Sequence, residues 1–177
     1  MAEKQLNWAQ RLKAPEVKFP KGIFSFYLSH ATDSRSYVRK WELGFEKRHP
    51  KIAMINPFYD LPGEQERRVR AIDQGKEFKE EPGFEWRMTQ GDYIAICYSR
   101  GILCIVDENY DKSIGTVMEM VMARTLAKNP KLLVCTNKKL IEHPWLKTHF
   151  HKIYTSFEEF EKDVDYQVER VKKKWGF

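Results

Sequence analysis

The run "ILCIV", Ile102 to Val106, decides the fold. Five apolar residues with no polar alternation read as a strand covered on both faces, the pattern of a parallel sheet flanked by helices. A polar, turn-rich loop follows, then a helix expected from about Thr116 to Ala127, then a second buried run, "KLLVCT" (Lys131 to Thr136). Strand, helix and strand in that order form a parallel crossover unit.

The same alternation extends outward in both directions. "GIFSFYLSH" (Gly22 to His30) and "KIAMINP" (Lys51 to Pro57) read as strands, the second stopped by Asn56-Pro57 because proline cannot continue the ladder. Between them Tyr37, Val38, Trp41 and Phe45 recur at helical spacing over Arg35 to Arg48, with Asp33 or Ser34 available as the cap. Helices are expected over Glu64 to Glu81 and Phe84 to Ser99. Pro82-Gly83 separates them, Trp86, Tyr93, Ile94 and Cys97 share one face of the second, and Gly101 acts as its C-cap. "HKIYT" (His151 to Thr155) is a short last strand. Ser156 and Glu159 make a capping box for a final amphipathic helix. The expected fold is α/β, a doubly wound parallel sheet of about five strands. Residues 1–21 form an N-terminal extension and 22–177 a single domain.

With 177 residues, one core and one main site are expected. Cys97, Cys104 and Cys135 are odd in number and lie in apolar stretches, which fits reduced thiols and a cytoplasmic setting. The N-terminal stretch is polar, and no run approaches the ~18 apolar residues that span a bilayer, so no membrane role is expected. The net charge of +6 favours an anionic ligand such as a phosphate. The basic run "RVKKKWGF" reads as a solvated helix end rather than a nucleic-acid site.

In an open parallel sheet, ligands bind outside the carboxyl ends of the strands. That rule selects Tyr27 to His30, Asn56 to Asp60, Asp107 to Thr116, and Thr136-Asn137. "SIGT" runs into a helix N-terminus, where free N–H groups attract phosphate, and Ser113, Gly115 and Thr116 suit that task. Ser29 and His30 add donors at the end of the first strand. Glu119 has two readings. It caps its own helix in a T-x-x-E box with Thr116, or it points into the crevice as a nucleophile. His143, His149 and His151 lack a matching Cys or Glu set and are read as ordinary histidines, and neither a metal nor a cofactor is expected.

"FYLSHA", "INPFYD", "GDYIAICYSRGILCIVDE" and "SIGTVMEMVMA" together resemble the nucleoside 2-deoxyribosyltransferase family and its relatives, the 2'-deoxynucleoside 5'-monophosphate N-glycosidases. The resemblance spans roughly Phe24 to Thr136. It implies cleavage or transfer at the N-glycosidic bond of a nucleoside 5'-monophosphate or nucleoside, with Glu119 as nucleophile and Tyr27 beside it. It also implies a small-molecule nucleotide as partner and a homodimer or larger homo-oligomer. Ser113, six residues before the glutamate, matches the monophosphate hydrolases rather than the transferases, which carry aspartate there. Arg100 stands where relatives have an aspartate near the base, and it joins the candidate ligand-binding residues. Asp92 matches an earlier aspartate of the helix. The acid for the leaving group is therefore open among Asp107, Asp111 and Asp60, with Asp107 entered as the catalytic candidate. Two other readings stand: a nucleotide-binding module without catalysis, and, because "FYLSHATDSR" resembles their opening strand, a TIR-like domain that cleaves NAD.

Overall fold

A computed structural model describes residues 23–60, 64–110, 114–125 and 131–175. The expected N-terminal extension, Gly22, Asp111, Ser113 and the helix end at Ala127 lie outside the described residues.

The first strand, β1 (Phe24–Ser29), is buried at every position. A single 3-10 turn (Thr32–Ser34) leads into α1 (Arg35–Arg48), which buries Val38, Glu42 and Phe45. Then come β2 (Ile52–Ile55), α2 (Glu64–Asp73) and α3 (Phe84–Tyr98). The central strand β3 (Gly101–Val106) is again wholly buried, and α4 (Ile114–Thr125) carries the chain back to β4 (Lys131–Cys135). A short helix α5 (Pro144–His149), β5 (Lys152–Tyr154) and the long α6 (Phe157–Trp175) complete the described chain.

The strands lie in the order β2-β1-β3-β4-β5, and every pairing is parallel. The fold is the doubly wound α/β sheet that the uninterrupted apolar runs require. Alternation along each strand splits the core in two. Phe24, Phe26, Leu28, Leu103 and Ile105 face Val38 and Phe45 of α1 and Phe160 and Val164 of α6. Tyr27, Ile102, Cys104 and Val106 face Ala95 and Ile96 of α3 and Ala123 of α4. Strand order reverses between β1 and β3, so the crevice of such a sheet opens at the carboxyl ends of these two strands.

Four elements differ from expectation. The α2 helix stops at Asp73, because Gly75 turns the chain at φ 64°, so the segment to Glu81 is not helical. In α3 the inward face is Phe84, Ala95 and Ile96, while Trp86 and Cys97 are exposed. The short α5 lies within "NKKLIEHPWLKTHF", a stretch after β4 that reads as loop in the sequence. Gly101 is not a helix cap. It opens β3, and a Cβ there would lie 2.6 Å from Cε1 of Phe26. At the last helix half of the expected box forms: the Glu159 N–H donates to Ser156 Oγ (3.2 Å), while the Glu159 carboxylate accepts from the N–H of Thr155 (2.7 Å), one residue before the cap.

Gly101→Ala should lower stability by about 1–3 kcal/mol, because the ring it meets belongs to the core. Urea unfolding measures this, and an unchanged midpoint would count against the packing described.

Candidate active site

Alternation along β1 places Tyr27 and Ser29 on the face covered by α3 and α4. Because α4 leaves the carboxyl edge of β3, its second turn lies above these two residues. The geometry there is specific. Tyr27 Oη donates to Glu119 Oε1 at 2.7 Å and Ser29 Oγ donates to Glu119 Oε2 at 2.5 Å. Tyr27 and Ser29 are fully buried, whereas Glu119 is half-buried and Met118 beside it is 54% exposed. The carboxylate is therefore held from β1, in a residue that keeps part of its surface exposed.

This excludes the capping reading of Glu119. A capping box needs Thr116 ahead of the helix, but α4 begins at Ile114, so Thr116 is a buried third residue within its first turn. The Glu119 carboxylate turns to β1 instead of back to its own backbone.

A second carboxyl joins it. Asp92, on α3, approaches the Tyr27 hydroxyl and feels the charge of Glu119. Burial pushes Glu119 up to about 7, against the opposing effect of hydrogen bonds from Ser29 and Tyr27. Asp92 rises well above the carboxylate range, first through burial and then through repulsion from Glu119. Burial and the same negative charges raise the Tyr27 phenol, which stays protonated. Two acids one tyrosine apart are thus both pushed up, so the pair holds a proton toward neutral pH.

The other face of the sheet carries polar groups that bond among themselves. Asp107 shares the parity of Leu103 and Ile105, so it points toward α1. Its Oδ2 accepts from Ser34 Oγ (2.5 Å) and Tyr37 Oη, and its Oδ1 accepts from the Asn109 N–H (2.8 Å). Asp107 is thus committed to bracing the loop after β1 against the loop after β3, and it does not serve as the acid beside Glu119. Ser34 gives its hydroxyl to this brace and makes no side-chain cap to α1. Asp60 accepts from Arg39 (3.1 Å) and from the Asn56 N–H (2.9 Å) at the end of β2. His30 is buried against Phe58, its Nδ1–H donating to the Ala31 carbonyl (3.0 Å), and burial lowers its pKa.

Arg100 lies at the opposite edge of the sheet. It precedes the first residue of β3, its N–H donates to Ser25 Oγ (3.2 Å), and six strand residues separate it from the crevice. Ser29 also differs from its expected place on a phosphate, because Glu119 takes its hydroxyl. Gly115 occupies the first turn of α4 with open space where a Cβ would be. The histidines of the late segment bind locally: His149 stacks on Trp145 and shares a hydrogen with its carbonyl (2.8 Å). Among the described residues no group of three His, Cys, Asp or Glu side chains could hold a metal ion.

No family model matches the chain, and no curated protein does. Its chemistry therefore has to be argued from the geometry.

One buried group has no warning in the sequence. Glu42 of α1 is wholly buried, accepts from Arg39 (2.8 Å) and Asn56 Nδ2 (2.9 Å), and is pushed up to about 8 by burial and by Asp60. In sequence it is one of several charges on an amphipathic helix. Only its i,i+3 spacing from Arg39 hints at a pair.

A carboxyl raised on folding takes up a proton between its unfolded and folded pKa values, so stability falls as pH rises through that window. For Glu119 the window runs from about 4.5 to about 7. Glu119→Gln should remove a decline on the order of 1–3 kcal/mol across it. Denaturation at several pH values gives the comparison, and identical pH dependence in both proteins would contradict the burial of this charge.

Proposed function

We propose that the protein cleaves, or transfers across, the N-glycosidic bond of a nucleoside 5'-monophosphate or nucleoside. The observation that carries this reading is the geometry around Glu119, whose Oε1 accepts from Tyr27 Oη at 2.7 Å and whose Oε2 accepts from Ser29 Oγ at 2.5 Å, with the Asp92 carboxyl close to the same tyrosine hydroxyl.

The pair suits a two-step exchange at an acetal carbon. A Glu119 oxygen attacks the anomeric carbon and forms a glycosyl ester, while the bond to the base nitrogen breaks. Asp92 gives its proton to the departing nitrogen, so the base leaves neutral. The Asp92 carboxylate then takes a proton from water, or from an incoming base, as that group displaces Glu119. The first turn of α4, with the open Gly115, supports a 5'-phosphate as the anchor, since N–H groups at a helix start favour anions. The positive net charge agrees with an anionic substrate. Placement at the β1/β3 reversal supports a small ligand rather than a macromolecule.

Incubation with a panel of nucleosides, nucleoside 5'-monophosphates and NAD, followed by chromatography for free base, tests the reading. Base release from a monophosphate is expected, falling at least about 10³-fold in Glu119→Ala and by roughly 10²- to 10⁴-fold in Asp92→Asn. The rate should rise as Glu119 ionises near pH 7 and fall again as Asp92 loses its proton. Release of nicotinamide alone would move the reading to NAD cleavage. Release that survives Glu119→Ala would sink the mechanism, and no release from any substrate would sink the enzyme.

A further inference from the structure

Ser29 is fully buried, so its hydroxyl serves what already surrounds it. Register sets those surroundings. Ser29 of β1 stands opposite Cys104 of β3, and odd positions of β1 share a face with even positions of β3. Cys104, also fully buried, is its cross-strand neighbour on this face. On the other side Ser29 Oγ donates to Glu119 Oε2 at 2.5 Å. A hydroxyl has one hydrogen to give, and an ionised carboxylate only accepts, so that hydrogen belongs to Glu119.

Tyr27 alone does not fix the carboxylate. Its single bond to Oε1 leaves Glu119 free to swing about that contact, whereas a second bond to Oε2 stops the rotation. A nucleophile must meet its target within a narrow range of direction, so this second bond bears on reactivity as well as on order.

We propose that Ser29 is a positioning residue for Glu119: its hydroxyl locks Oε2 and so sets the direction from which the carboxylate meets the sugar. The catalytic consequence rests on the N-glycosidic reading, while the locking itself does not.

The experiment compares Ser29→Ala, Ser29→Cys and the unaltered protein in two ways. Carbon-13 NMR of the side-chain carboxyls, with Glu119 assigned by its loss in Glu119→Gln, follows its titration without any substrate. In Ser29→Ala the Glu119 midpoint should move up by about one pH unit, since a hydrogen bond to the charged form is lost. With the substrate found to release base, kcat should fall roughly 10- to 100-fold, KM should change little, and the acid limb of the pH profile should shift with the midpoint.

Ser29→Cys keeps nearly the same volume with a weaker donor and should shift the midpoint in the same direction by less. If Ser29→Ala does not fold, Ser29→Cys decides the matter. An unmoved Glu119 midpoint with unchanged kcat overturns the proposal and leaves the N-glycosidic reading standing. A moved midpoint in a protein that releases no base from any substrate overturns that reading and supports the lock.

Discussion

The structure depends on how one charge is kept at the edge of a buried sheet. Glu119 sits where α4 passes the carboxyl ends of β1 and β3, with a fully buried tyrosine and serine beneath it and a second carboxyl nearby. Burial alone would protonate it. The two hydroxyl donors oppose that effect, and the charge of Glu119 in turn raises Asp92.

Strand alternation divides the polar residues at the carboxyl edge into two groups with different work. Tyr27, Ser29 and Cys104 face the helices that carry Asp92 and Glu119. His30 and Asp107 belong to the alternate positions and meet α1, where Ser34, Tyr37, Arg39 and Glu42 bind the loops after β1, β2 and β3 to one rigid helix. Three loops braced to one helix limit the motion of the strand ends that hold the carboxylate. The two faces thus serve as support and as site.

Much of this frame was legible in the chain. Runs such as "ILCIV" and "FSFYLS" have no polar alternation because both faces of a central parallel strand are covered, and they located β1 and β3 closely. Gly101 was misread because a glycine after a helix is a common cap, while its contact with Phe26 exists only once β1 and β3 are paired. The site was legible in part. The sheet rule brought Tyr27, Asp107 and Glu119 to one edge, but which face each side chain meets follows from register. For that reason Asp107 and Asp60 looked available as acids when each is already bonded, and Ser29 looked like a phosphate donor when its hydrogen goes to Glu119. Arg100 became a candidate only through the resemblance, and it stands before the first residue of β3, at the amino edge of the sheet.

A crystal of the Asp92→Asn variant soaked with a nucleoside 5'-monophosphate tests the central claim most directly, since loss of the acid should leave the bond to the base intact. The account predicts the anomeric carbon about 3–3.5 Å from a Glu119 oxygen, with the base on the side of residue 92. A nucleotide bound with its sugar away from Glu119 would contradict it.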